Sequence, residues 1–149
     1  MHWLRNFFTS SPAPQRELPL SAIESAVEEA NKYRESILAA GSVNGVHYTG
    51  TVETIKQLKR EGRHSEAIQL LLQSVEATES ESRFAGDGWG VAPWYYEQLA
   101  IIYRKEKRYE DEISILERYM AQPKALGVGP AKLKERLVAA KKLLKARRA

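Results

Sequence analysis

Residues 93–119 place apolar and charged side chains at helical spacing in two successive stripes. Tyr96, Leu99, Ala100 and Tyr103 recur at three- and four-residue steps, which aligns them on one helical face. Tyr109, Ile113, Leu116 and Met120 do the same after a short charged turn, so the stretch predicts a helical hairpin. Pro93 suits the first turn of its first helix, and Pro123 ends the unit. Upstream, Ile55 and Leu58, then Ala67 and Leu71, predict a second hairpin. Gly62 lies at its turn, where a left-handed backbone costs a glycine nothing. A helix over 21–40 precedes these, opened by a Ser21–Glu24 capping box and striped by Ile23, Ala26, Val27, Ala30, Ile37 and Leu38. Another follows over 130–147, with Leu133, Leu137, Ala140 and Leu144 in line. Asn44-Gly45 is a turn signal, but its flanking runs are too short to specify a strand pair. The expected class is all-α.

The order Tyr96, Leu99, Ala100, Tyr103, then Glu112 and Leu116, resembles the tetratricopeptide repeat. That family has aromatic-x2-Leu-small-x2-Tyr on one helix and small-x3-large apolar on the next. Glu112 departs from it by standing at the small position. The upstream copy restores a small residue at Ala67 but has Thr51 and Thr54 where an aromatic residue and a leucine are expected. The copies are 45 residues apart (Ala67 to Glu112), against about 34 in the family. The excess falls to residues 79–92, read as an insertion loop carrying Phe84, Trp89 and three glycines. Trp89 either packs as a flap over the core or meets a ligand. The resemblance implies antiparallel hairpins stacked as an α-α superhelix within one domain, 20–149. Its parts are a helix at 21–40, repeats at 51–78 and 93–122, and a capping helix at 130–147, after a flexible tail and linker at 1–19.

Composition changes this picture in two ways. Of a net charge of +4, residues 132–148 alone supply eight basic residues against one acidic. The 149 residues contain no cysteine, which removes disulfides, thiolate metal sites and cysteine nucleophiles and fits a cytoplasmic protein. No apolar run approaches the roughly 20 residues of a membrane span, and MHWLRNFF is too short for a secretory core. Trp3, Leu4, Phe7 and Phe8 form either one turn of interfacial helix or a loosely docked terminus. His2, His47 and His64 lie on separate elements without metal-ligand spacing, and no cofactor is expected. Glu110, Asp111 and Glu112 are consecutive and point different ways around a helix, unlike an acid–base pair. The three glycines lack the strand and Gly-Lys-Ser/Thr of a phosphate loop. Nothing here calls for an enzyme. Glu112, near the closest approach of two helices, must be neutral, paired or turned outward.

The function implied by the resemblance is non-catalytic binding of a peptide or protein segment in a groove lined by the first helix of each hairpin. Counting outward from Leu99 and Tyr103, the groove positions are Trp94, Glu97, Ile101, Arg104 and Lys105. The upstream register adds Val52, Lys56, Lys59 and Arg60. This mostly basic set favours an acidic segment or a free carboxylate. Alternatively, Lys59, Arg60, Arg104 and Lys105 complement helix C-terminal dipoles. Two other classes stand beside it: nucleic-acid binding through the basic last helix, and an adaptor that dimerises through its own helices.

Overall fold

The computed structural model describes residues 17–149; the N-terminal aromatic segment and most of the expected linker lie outside them. Among the described residues six α-helices and one minimal strand pair account for the fold, an all-α architecture. In order these are α1 (Leu20–Ala40), β1 (Ser42–Val43), β2 (Val46–His47), a 3-10 turn (Tyr48–Thr51), α2 (Val52–Arg60), α3 (His64–Ala85), α4 (Pro93–Lys105), α5 (Tyr109–Met120) and α6 (Gly129–Arg148).

Two hairpins, α2–α3 and α4–α5, share one turn geometry at an offset of 45 residues. In the first, the Arg63 amide donates to the Leu58 carbonyl (2.9 Å) and the Gly62 amide to that of Lys59 (3.1 Å). In the second, Arg108 donates to Tyr103 (2.8 Å) and Lys107 to Arg104 (2.9 Å). Both turns pass through the left-handed region, Gly62 at φ 69° and Lys107 at φ 58°, so the second hairpin makes the same turn without a glycine. Even the flanking ion pairs repeat: Arg63 holds Glu61 and Glu66, and Arg108 holds Glu106 and Asp111.

The hairpin cores differ where the sequence departs from its own repeat. Thr51 and Ser74 face each other at 3.0 Å in the first hairpin. Their equivalents are Tyr96 and Tyr119, whose rings pack at 5.1 Å. A hydroxyl pair thus stands where the second hairpin has two aromatic rings, and this is how α2 forms without the expected aromatic residue. The Ala67 position, fully buried, is occupied in the second hairpin by Glu112, equally buried.

The helix α3 runs to Ala85, so residues 79–85 are not part of an insertion loop. The inward positions stay buried through Thr78, Glu81 and Ser82, and Glu79 is held by Arg118 and Tyr96. Side-chain partners thereby extend a helix whose last two turns look polar in sequence. It stops at Gly86, φ 82°. The remaining loop, 86–92, joins the segment after α5 through a parallel bridge between Val91 and Lys124. Gly90 is required there, because a Cβ would lie 2.1 Å from the Ala125 nitrogen. Trp89 is 45% exposed.

The last helix follows most of its predicted stripe, with Leu144 only partly buried. Leu133 and Ala140 are buried, Leu137 packs against the core, and α6 lies along α5 and α4. Before α2, Asn44 (φ 50°) and Gly45 (φ 81°) make the doubly left-handed turn that favours a two-residue hairpin, pairing Ser42 with His47 and Val43 with Val46. The short runs suffice because Val43 is buried against α3.

Two compact units divide the chain at Tyr33 and Arg34, within α1. In the first, every described residue is exposed. In the second, Ile37 is the one member of the predicted α1 stripe that is buried. Helix α1 starts at Leu20 behind Pro19, which puts Ser21 inside the helix rather than at its cap.

Candidate interaction surface

Helix α4 is buried by the rings and aliphatic chains of Tyr95, Tyr96, Leu99, Ala100, Ile102 and Tyr103. Its neighbours define the opposite side. Gln98 accepts a hydrogen bond from the Lys59 ammonium on α2, and Glu97 pairs with Lys132 on α6 at 2.6 Å. At about 100° per residue, Trp94, Ile101 and Lys105 fall on the single strip between those two contacts. Trp94 is partly buried, its ring standing edge-on to Tyr95 at 5.1 Å; Ile101 is also partly buried, and Lys105 is exposed.

Of the other expected groove residues, Lys59 reaches the edge of the strip at Gln98, Val52 is partly buried against the core instead, and Lys56 is exposed with an ion pair to Glu53 at 3.2 Å. Partial burial pulls the Lys59 ammonium below the usual lysine range, with nearby Lys105 lowering it further and Glu97 opposing. Arg60 turns along its own helix to Gln57 (2.6 Å) and lines a recess with Thr54, Gln57 and Arg63. That takes it off the strip. Arg104 does not present a free cation either. It donates to both oxygens of buried Glu112 (2.8 and 3.1 Å) and to the Arg136 carbonyl (3.3 Å), while Arg136 donates to Glu112 at 3.3 Å. Glu112 is therefore paired, and its three-way contact ties α4, α5 and α6 together. Two guanidiniums over one carboxylate leave this cluster positive.

Much of the basic stretch of α6 is engaged within the molecule, mostly through exposed ion pairs. Lys132 reaches Glu97, Arg136 reaches Glu112, Lys141 reaches Glu117 (3.1 Å) and Arg148 reaches Glu110 (2.8 Å). Arg147 donates to the Lys107 carbonyl at 2.8 Å and lies over the Tyr109 ring. The acidic residues of α4 and α5 are its counterpart. Lys134, Lys142 and Lys145 remain exposed.

Two further polar clusters, not foreseen from the sequence, brace α3. Glu79 accepts two bonds from Arg118 (both 2.8 Å) and one from the Tyr96 hydroxyl (2.8 Å). Glu81 lies 2.7 Å from the His47 Nε2, whose Nδ1 lies 2.8 Å from the Thr49 hydroxyl. His64 contacts Glu106 between the two hairpin turns at 3.2 Å. Among the described residues no group of three or more acidic, histidine or cysteine side chains could hold a metal ion. No helix among them is long and apolar enough to cross a membrane. Sequence reasoning missed Gln98, Lys132 and Arg136 as borders of the strip. Glu97 on α4 and the lysine-rich start of α6 carried the only signal for one of these pairs.

Comparison with protein-family models, with curated proteins and with solved structures returned no match.

Proposed function

We propose that this chain is a non-catalytic, tetratricopeptide-like interaction module whose α4 strip takes an acidic protein segment. The observation that carries it is the strip itself: Trp94 and Ile101 offer apolar contact, while Lys105, Lys59 and the positive Arg104–Glu112–Arg136 cluster border them. Such a surface suits a short segment with one or two apolar anchors and flanking carboxylates, because charge-assisted hydrogen bonds set its orientation. The hairpins are braced by buried ion pairs on both sides of α4, so little ordering would be needed in the module on binding. Lys105 and Lys59 are the residues expected to contact the partner's carboxylates, Trp94 and Ile101 its apolar side chain, and Lys56 the rim. Arg104 supports the strip, and Arg60 contributes nothing to it.

Nucleic-acid binding through α6 has less support, since five of its basic side chains engage α4 or α5. Mapping by NMR decides between these surfaces. Titration with an acidic decapeptide containing leucine should shift the Trp94 indole and the amides around Ile101 and Lys105. Shifts confined to α6 on adding a DNA oligonucleotide, with none on α4 from the peptide, would reverse the assignment.

A further inference from the structure

The α4 strip changes character along its length. Helix α6 runs beside α4 in the same direction: the Gly129 backbone rests on the Pro93 ring, Lys132 pairs with Glu97, and the Arg136 carbonyl accepts from Arg104. Val128 has helical dihedral angles and its carbonyl accepts from the Lys132 amide at 3.1 Å, so the two side chains share one face of α6. That face is turned to Glu97. Val128, 84% exposed, therefore carries the Glu97 border one turn further, to the level of Pro93 and Trp94, with an apolar side chain in water. The contact on the α2 side of this end is uncharged as well, the Tyr95 hydroxyl donating to the Tyr48 carbonyl at 2.9 Å. At the opposite end stand Lys105 and Lys59, near enough for one ammonium to disfavour the other. The apolar and cationic ends are separated by the eleven residues from Trp94 to Lys105, about 16 Å of helix.

Resting on the acidic-segment reading of α4, we infer that Val128 is an apolar anchor beside Trp94, and that the occupant is an extended segment with a set spacing between its apolar and acidic side chains. The Lys59–Gln98 and Lys132–Glu97 contacts close on α4 from both sides. They leave a single line of side chains, too narrow for a second helix of roughly 10 Å diameter. An extended chain rises about 3.3 Å per residue, so it covers this length in about five residues. Alternate side chains of such a chain share a face, which makes the matching separations about four and about six residues. An apolar side chain over Trp94 and Val128 then brings one carboxylate to Lys59 and one to Lys105. A segment with these groups adjacent in sequence reaches only one end at a time.

Fluorescence anisotropy on the full chain tests it, with labelled decapeptides of one composition. Two carry leucine with glutamates about four and about six residues away, one in each chain direction; a third carries leucine between adjacent glutamates. The better of the spaced peptides should bind at least about fivefold more tightly than the adjacent one. Val128→Ser should remove that advantage and leave binding of the adjacent peptide unchanged. Circular dichroism should stay that of the wild type, since Val128 is exposed and serine suits the N-cap position it occupies. Lys105→Glu should weaken binding of all three. Equal binding of spaced and adjacent peptides, or a full advantage in folded Val128→Ser, would overturn this inference, and sensitivity to Lys105→Glu would still leave the strip reading standing. Absence of binding, or binding that ignores Lys105→Glu, would remove the strip reading and the anchor with it.

Discussion

At the scale of single residues, the stability of this protein is tied to a few buried polar groups whose partners are explicit. Glu112 is completely buried beneath two guanidiniums. Removing it leaves Arg104 and Arg136 facing each other without an anion, so Glu112→Ala should cost about 3–5 kcal/mol in urea unfolding. A double-mutant cycle with Arg104→Ala should show that the two losses are far from additive. The Tyr119 hydroxyl is the reverse case: it is buried without a hydrogen-bond partner. Tyr119→Phe should accordingly leave stability unchanged or raise it by about 1 kcal/mol, whereas Tyr96→Phe, which loses the bond to Glu79, should lower it. Burial also raises the phenol pKa values of Tyr48, Tyr95, Tyr96, Tyr103 and Tyr119, that of Tyr95 to about 12. Since the unfolded chain would ionise these groups near pH 10 and the folded chain later, their contribution is complete below pH 10. It is lost as the pH rises from there through about 12 for Tyr95. Unfolding free energy measured across that window should fall steeply, and in Tyr95→Phe less steeply.

At the scale of elements, the two hairpin turns make a matched experiment within one chain. Lys107 holds the left-handed conformation that Gly62 adopts without strain. Lys107→Gly should stabilise the second hairpin by about 1 kcal/mol, and Gly62→Ala should destabilise the first by a similar amount, both read from thermal unfolding. Deleting residues 129–149 removes Leu133 and Ala140 from the core and the partners of Glu97, Glu110, Glu112 and Glu117. A loss of several kcal/mol and aggregation are expected. The helices themselves were legible because their apolar spacing is local: the stripes of α4 and α6, and the Gly62 turn, follow from three- and four-residue steps. The end of α3 was not, because Glu79 and Glu81 look like solvent-facing residues until Arg118, Tyr96 and His47 arrive from distant segments. For the same reason the sequence places Arg104 and Arg60 in the groove together with Lys59 and Lys105. Arg104 has a buried carboxylate within reach one turn along the next helix, while the equivalent position in the first hairpin is Ala67 and leaves Lys59 to reach Gln98 instead.

At the scale of the whole molecule, charge is distributed to dock helices before it is presented to partners. The basic α6 lies along α5, whose first turn is acidic, which accounts for a segment that reads as a phosphate-binding stripe in isolation. The α4 strip stays open among the described residues, and the central claim concerns it. Fluorescence anisotropy with a labelled acidic decapeptide, compared with its version carrying Gln for every Glu, tests that claim directly. The account predicts that the acidic peptide binds more tightly and loses affinity with added salt. It also predicts that Lys56→Glu with Lys105→Glu weakens binding by about tenfold or more while the fold persists, and that Arg60→Glu leaves it unchanged. Equal binding of the two peptides, or full affinity in the folded Lys56→Glu, Lys105→Glu variant, would contradict it.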